Sequence, residues 1–244
     1  MIFKGKKLFY DYCQLIAVIK DCLESNSKGY ICAVNANVLI NCYKDNEYNQ
    51  VVNSSLINIC DGVNVKRLNN VLCEEKIQNY PAPDFFMRVI NEQHFKSFFL
   101  GGSPEISLSL CKHLKKNFQN IEISDFYSPP FLNVEDFDYQ EIASIVNKSQ
   151  PDVIWVGLGA PKQEMFMHKL LPFIERGVMI GVGAVFNFYS GKESLKRAPY
   201  LYRKYNLEWL YRALQEPKRI IPRQIRSAYY LPRIFFSDFM EKYR

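Results

Sequence analysis

Residues 153–164 read Val-Ile-Trp-Val-Gly-Leu-Gly-Ala-Pro-Lys-Gln-Glu, and this stretch decides the fold class. Its first four residues are β-branched or aromatic, which predicts a buried strand. Gly157 and Gly159 then favour a tight turn, and Pro161 suits the first turn of a helix that we expect to reach about Glu175. A strand that passes through glycine directly into a helix is typical of a parallel α/β sheet.

The same pattern recurs on both sides of this stretch. Residues 97–100 predict a strand that ends at Gly101 and Gly102, and Ser103-Pro104 then opens a helix as N-cap and first helical residue. Further elements are predicted as strands at residues 30–34, 56–60, 121–123 and 178–182 and a helix at about 38–46. The alternation predicts a Rossmann-like, mostly parallel sheet flanked by helices.

The charge divides the chain into two parts. The 244 residues carry a net charge of +6, but residues 196–244 contain 12 Lys and Arg against 4 Asp and Glu, whereas the rest is slightly acidic. We therefore predict an α/β catalytic domain at 1–194 and a basic, aromatic, helical C-terminal appendage at 195–244. Pro217, Pro222 and Pro232 predict that the appendage is broken into two or three short helices.

Composition excludes several classes of protein. Apolar residues make up 48% and charged residues 23%, as in folded globular domains. The seven cysteines include no Cys-x-x-Cys pair and there are three histidines, so neither a metal site nor a secreted disulfide framework is expected. No export signal is visible, and the longest apolar run, residues 178–186, is far short of the ~20 residues that cross a bilayer. These features predict a cytoplasmic protein.

Glycines follow several strands at the edge where open α/β sheets bind ligands. A helix N-terminus beside glycine presents free N–H groups and favours phosphate. Each glycine turn taken singly could equally bind nothing, but their recurrence indicates a nucleotide or phosphosugar ligand. The candidate binding glycines are Gly62, Gly101, Gly102, Gly159 and Gly183.

Polar side chains at the same edge are candidates for chemistry. Asp61 follows a strand directly and could act as a general base or hold a sugar hydroxyl; the alternative is an ordinary Asp-Gly turn. Asn35 and Asn37 could hydrogen-bond a ligand, and Asn37 could cap the next helix.

Two further groups of residues could contact a ligand. Lys162, Gln163 and Glu164 occupy the first turn after Pro161, where Gln163 could recognise a base or sugar through its amide and Glu164 could simply stabilise the helix. Arginine suits bidentate binding of phosphate, and lipid headgroups or solvent are the alternatives for the basic residues of the appendage. These are Arg212, Arg219, Arg223 and Arg226.

Several runs together resemble the WecG/TagA/CpsF family, glycosyltransferase family 26, from about residue 5 to 225. The most specific are Gly157-Leu158-Gly159-Ala160-Pro161-Lys162-Gln163-Glu164 and Leu207-Glu208-Trp209-Leu210-Tyr211-Arg212. Supporting runs occur in the same order: Val34-Asn35-Ala36-Asn37, Cys60-Asp61-Gly62-Val63, Phe99-Leu100-Gly101-Gly102, Tyr127-Ser128-Pro129-Pro130-Phe131, Gly181-Val182-Gly183, Lys196-Arg197-Ala198-Pro199 and Glu216-Pro217-Lys218-Arg219.

The resemblance implies an inverting transfer of a sugar from a UDP-sugar to a polyprenyl-diphosphate-linked saccharide, without a required metal or other cofactor. It implies cell-surface polysaccharide synthesis at the inner face of the cytoplasmic membrane, with N-acetylmannosamine, its uronic acid or a hexose as the sugar. It also implies that Asp61 is the base, and that the basic appendage contacts an anionic membrane surface and supplies arginines to the site.

The chain departs from the family pattern at three positions. Asn35 stands where the family has threonine, Asn187 stands where it has aspartate, and Pro222 stands where an arginine is expected, with Arg223 beside it. Two other functions remain possible from the residues alone. One is a nucleotide-binding oxidoreductase, although the glycine fingerprint is incomplete, and the other is a nucleic-acid-binding module that uses the basic appendage.

Overall fold

A parallel β-sheet forms the centre of the protein, as a computed structural model describes it for residues 8–9, 11–74, 76–191 and 196–242. Within these residues the sheet has seven strands in the order β1-β3-β2-β7-β6-β4-β5, and every neighbouring pair is parallel. The strands are β1 Leu8–Phe9, β2 Lys28–Val34, β3 Ile57–Cys60, β4 Ser97–Gly101, β5 Ile123–Tyr127, β6 Val153–Gly157 and β7 Gly177–Gly181. The predicted fold class is confirmed.

Helices cover both faces of the sheet. On the body they are α1 Tyr12–Glu24, α2 Ala36–Lys44, α3 Asn46–Asn53, α4 Val63–Leu72, α5 Ala82–Glu92, α6 Pro104–Asn117, α7 Tyr139–Ser149, α8 Lys162–Leu170 and α9 Val185–Tyr189. Short 3₁₀ turns lie at Val134–Asp136 and Leu171–Phe173. The appendage adds α10 Tyr200–Lys204, α11 Glu208–Gln215 and α12 Pro217–Lys242.

Alternate residues of each central strand enter two separate cores. On β6, Ile154 and Val156 face the core beneath α2, α3, α7 and α8, whereas Val153 and Trp155 face the core beneath α1, α5, α6 and α9. Both faces of a parallel strand are buried, so the strands have the near-continuous apolar sequences from which they were predicted.

Several helices and strands begin or end at residues other than those predicted. Helix α2 begins at Ala36, and its N-cap is Asn35 rather than the predicted Asn37. Strand β5 lies at Ile123–Tyr127 instead of 121–123, and α8 ends at Leu170, before the 3₁₀ turn, instead of at Glu175. The predicted domain boundary at 194/195 lies outside the described residues.

The appendage differs from the prediction in one respect. Helix α12 continues for 26 residues through Pro222 and Pro232, so the predicted breaks there are wrong. Both prolines are exposed, whereas the buried residues of α12 lie on the opposite face: Ile220, Ser227, Ile234 and Asp238. Each proline therefore frees a carbonyl on the solvent side, where a helix bends outward most easily, and packing against the body maintains the helix.

Helix α11 turns charged side chains toward the body and exposes large apolar side chains, the reverse of an ordinary surface helix. Glu208 and Arg212 are partly buried toward the body, while Trp209 and Leu214 are 46% and 68% exposed. Most of the exposed large apolar side chains of the described residues are on the appendage: Tyr200, Leu201, Tyr205, Leu207, Trp209, Leu210, Leu214, Ile221, Ile225, Tyr229, Phe236, Phe239 and Met240. Such a concentration of exposed apolar side chains in one segment indicates an interaction surface. No helix in the described part of the chain is long and apolar enough to span a bilayer.

Candidate active site

Asp61 lies at the carboxyl end of β3, where the sequence places it. Its backbone N–H donates to the Val34 carbonyl at 3.0 Å, which ties it to the end of β2. The carboxylate accepts the Ala82 N–H at Oδ1 (3.2 Å) and the Asn35 Nδ2 at Oδ2 (3.4 Å). Burial raises the pKa of this carboxyl group, while the two hydrogen bonds and the charge of Arg212 oppose the shift. A raised pKa suits a general base.

Asn35 orients the Asp61 carboxylate. Its Oδ1 accepts the N–H groups of Asn37 and Val38 at 3.0 and 3.3 Å, which caps α2. Because Oδ1 is occupied by the cap, the amide nitrogen is directed toward Asp61. The amide thus supplies a hydrogen-bond donor to the carboxylate at the position where the family pattern has a hydroxyl.

Asn37 connects three elements at the same edge. Its Nδ2 donates to the Ala160 carbonyl at 3.5 Å, and its Oδ1 accepts from Arg226 of α12 at 3.5 Å. A shorter bond from Arg226 to Asn41 Oδ1, at 2.6 Å, holds α12 against α2. Asn37 is therefore at the edge, between the glycine turn and the appendage.

The predicted glycines lie at or just after the ends of strands, but they differ in what surrounds them. Gly101 has φ +123° and lies so close to β6 that an added Cβ would be 2.9 Å from the Gly157 carbonyl carbon. Gly159 has φ +78° and faces open space, with no atom within 4 Å of an added Cβ. The first glycine is thus required by strand packing, whereas the second leaves room for a ligand beside its backbone. Gly62, Gly102 and Gly183 also have positive φ.

Gln163 and Glu164 lie in the first turn of α8, as predicted, but both side chains are buried. Gln163 is 3% exposed; its Oε1 accepts the Gly183 N–H at 2.8 Å and its Nε2 donates to Glu164 Oε1 at 3.0 Å. Glu164 is fully buried and accepts the Tyr48 hydroxyl at 2.9 Å. Burial raises the pKa of Glu164 to about 7. These side chains hold the turn after β7 in place from inside the core.

Lys162 borders a cavity of about 420 Å³ at the same edge. Its Nζ donates to the Leu132 carbonyl and lies 4.9 Å from the ring centre of Phe131, whose side chain is fully exposed. The cavity is lined mainly by apolar side chains together with a few polar groups: Phe131, Leu132, Asn133, Val134, Asp136, Pro161, Lys162 and Met165. Such a lining is typical of small-molecule sites.

The appendage arginines gather around one carboxylate. Glu216 Oε1 lies 3.0 Å from Arg219 Nη1, and Glu216 Oε2 lies 3.6 Å from Arg212 Nη2. Burial lowers the pKa of Arg223, and the charges of Arg219 and Arg212 lower it further. The charge of Arg212 also acts on the pKa of Asp61, so this one predicted guanidinium group lies within electrostatic range of the predicted carboxylate.

Charged residues that were not predicted as site residues also lie here. Burial raises the pKa of Glu208, and Asp61 and Arg212 are among the charges that act on it. Arg197 pairs with Asp84 at 2.6 Å beside them. The run Lys196-Arg197-Ala198-Pro199 contributed to the family resemblance, but it did not predict a role for Arg197 in the site. No feature of the sequence links Asp84 to Asp61. In the described ranges, no group of three or more His, Cys, Asp or Glu is arranged to hold a metal ion.

The chain is similar to known glycosyltransferases over most of its length. The family model described as glycosyl transferase WecG/TagA/CpsF family matches residues 8–244. A protein of Bacillus spizizenii is 28% identical over 200 residues, 81% of this chain and 75% of that protein. One of Staphylococcus aureus is 29% identical over 212 residues, 85% of this chain and 81% of that protein. Both are named N-acetylglucosaminyldiphosphoundecaprenol N-acetyl-beta-D-mannosaminyltransferase.

Proposed function

The chain belongs to the WecG/TagA/CpsF family of glycosyltransferases, and on that premise we propose that it transfers a sugar from a UDP-sugar to a polyprenyl-diphosphate-linked saccharide. The named relatives transfer N-acetylmannosamine to N-acetylglucosaminyl-diphosphoundecaprenol. An N-acetylmannosamine-type sugar is therefore the first candidate donor group, followed by its uronic acid and a hexose. The product would enter cell-surface polysaccharide synthesis.

The observation that carries this proposal is Asp61 at the ligand edge, held by two hydrogen bonds and within electrostatic range of Arg212. In the proposed mechanism, Asp61 takes the proton from the acceptor hydroxyl as that oxygen attacks the anomeric carbon opposite the leaving UDP. The anomeric configuration is thereby inverted. A positioned base contributes roughly 10²–10⁴-fold, about 3–5 kcal/mol.

The leaving diphosphate is neutralised by protein groups in this proposal. Arg212 lies within electrostatic range of Asp61, Arg212 and Arg219 pair with Glu216, and the charges of both act on Arg223. Each charge-assisted hydrogen bond from such a group contributes about 1.5–3 kcal/mol. Two or three such bonds suffice to stabilise the leaving group in place of a metal ion. The Gly159 turn offers open backbone to the same diphosphate, and the cavity beside Lys162 is assigned to the nucleoside of the donor.

We also propose that the appendage rests on the inner face of the cytoplasmic membrane. Its helices α11 and α12 expose apolar side chains together with basic ones, and the segment is strongly basic. Apolar and cationic groups together suit the surface of an anionic bilayer. A lipid-linked acceptor held in that bilayer would then meet Asp61 without leaving the membrane.

The test is a panel of UDP-sugars with a short polyprenyl-diphosphate-N-acetylglucosamine analogue, scored by acceptor-dependent UDP release. Asp61→Asn keeps the shape of the side chain but removes the base, so turnover falls by roughly 10²–10⁴-fold while the fold is retained. Asp125→Asn, at an exposed carboxylate on β5, is the matched control. Near-normal turnover of Asp61→Asn would refute the base, and absence of UDP release with every sugar would refute the function.

A further inference from the structure

An ion pair joins the start of the appendage to the body next to the site. The Arg197 side chain is 16% exposed; its Nη2 lies 2.6 Å from Asp84 Oδ1 and its Nη1 donates to the Tyr189 hydroxyl at 2.9 Å. Arg203 of α10 approaches the same carboxylate at 3.9 Å. Since Asp84 lies on α5 and Tyr189 on α9, Arg197 holds the appendage to two body helices at once.

The turn of α5 that binds Arg197 also binds Asp61. Ala82 is the first residue of α5 and Asp84 the third, and the Ala82 N–H is the donor to Asp61 Oδ1. The Pro81 carbonyl accepts the N–H groups of Asp84 and Phe85 at 2.9 and 3.0 Å, which closes the turn. We therefore expect a displacement of Asp84 to disturb the hydrogen bond between the Ala82 N–H and the Asp61 carboxylate.

The Arg197 segment also positions α11. Gln215 of α11 bonds both backbone groups of Lys196, accepting its N–H at 2.8 Å and donating to its carbonyl at 2.9 Å. The charge of Arg197 lowers the pKa of Glu208 at the start of α11. One turn later, the charge of Arg212 lowers the pKa of Asp61. Residues 196 and 197 thus contact both the α5 turn that binds the Asp61 carboxylate and the helix α11 that carries Arg212.

We propose that the Asp84–Arg197 ion pair couples docking of the appendage to the position of the Asp61 carboxylate, so that both side chains are positioning residues for sugar transfer. This inference rests on the proposed role of Asp61. The active geometry is complete only when the appendage is docked. An error of about 1 Å in such a geometry can cost ~10²-fold in rate.

The experiment compares full-length Asp84→Asn, Arg197→Gln and the double variant with the wild type. Arg176→Gln is the matched control, because it removes an ion pair of similar length, 2.8 Å to Asp152, from elsewhere in the protein. We expect kcat to fall on the order of 10–100-fold in each single variant. The double variant should be no worse than the poorer single one, because the two changes break the same coupling. Arg197→Lys keeps the charge and should recover part of the rate.

Two readouts separate positioning from a merely structural role. Hydrogen exchange of the Ala82 amide should accelerate in Asp84→Asn and Arg197→Gln and stay unchanged in Arg176→Gln. The acidic limb of kcat/KM should move to higher pH in both variants. The Ala82 hydrogen bond lowers the pKa of Asp61 more than the negative charge of Asp84 raises it, so loss of that bond raises the pKa of Asp61 in each variant. Glu208, Cys60, Arg212 and Asn35 also face Asp61 and are unchanged in all variants.

Each outcome decides between the two proposals. If the wild type turns over and both single variants match Arg176→Gln in kcat and in Ala82 exchange, the coupling is wrong and the proposed function stands. If the wild type turns over no UDP-sugar, the proposed function fails, and exchange of the Ala82 amide still decides whether Arg197 holds that turn. An acidic limb that stays at the wild-type pH in both variants also contradicts the coupling.

Discussion

Replacement of the buried Glu164 by Gln should change how stability depends on pH. The Glu164 carboxylate is fully buried, and its neighbours Tyr48 and Gln163 are neutral donors rather than cations. Burial raises its pKa from 4.5 to about 7. The folded state therefore holds this proton more tightly than the unfolded state.

The sign and size of the effect follow from that difference. The stabilising contribution of Glu164 is fully present below pH 4.5 and is lost as the pH rises through 7. A difference of about 2.5 pKa units corresponds to roughly 3 kcal/mol. Glu164→Gln has no proton to lose, so its stability relative to the wild type should rise by roughly that amount between pH 4.5 and 8. The altered hydrogen bond to Gln163 adds a cost that does not depend on pH.

Urea unfolding at several pH values measures this difference, because subtracting the wild-type curve cancels all other titrating groups. Glu47→Gln, at an exposed position on the neighbouring α3, is the matched control and should stay within about 0.5 kcal/mol throughout. A Glu164→Gln difference that is equally flat across this range would refute the reasoning that a buried charge forms here above pH 7.

Two further predictions concern the membrane surface and the glycine turns. Leu214→Gln combined with Ile225→Gln removes two apolar side chains that are 68% and 67% exposed, so binding to vesicles with anionic lipids should weaken about tenfold or more while the unfolding midpoint is kept. Leu108→Gln on α6 is the control, and unchanged vesicle binding of the double variant would contradict the membrane contact. Gly101→Ala combines a φ of +123° with a 2.9 Å clash against Gly157, and should lose more unfolding free energy than Gly159→Ala, which has a positive φ but open space and should lose about 1–2 kcal/mol. Equal losses in urea unfolding would show that the close approach of β4 and β6 does not matter.

The central sheet could be predicted from the sequence because each strand and the glycine turn after it form a pattern within a few consecutive residues. Local patterns also located Asp61 correctly at the end of β3. They gave Asn37 as the candidate cap of α2, whereas the N-cap is Asn35, whose side chain accepts the N–H groups of Asn37 and Val38. Both residues are asparagines and either can cap, so the residue type alone did not locate the start of the helix.

The parts that the sequence did not predict depend on contacts between distant segments. Pro222 was expected to break its helix, but burial of Ile220 and Ile234 against the body outweighs the lost hydrogen bond. Gln163 and Glu164 are in the right turn but on its inner side, because the first turn of α8 lies against α3 and β7. The pair of Asp84 and Arg197 joins two remote positions, and no local pattern marks such a pair.

The site combines Asp61 with Arg212, which lie about 150 residues apart in the chain and meet only through the appendage. A nascent chain on the ribosome therefore completes its whole parallel sheet before the guanidinium groups emerge. Until the appendage is synthesised, the growing polypeptide has a carboxylate without its cationic partner. The order of synthesis thus delays assembly of the candidate site until the appendage has left the ribosome.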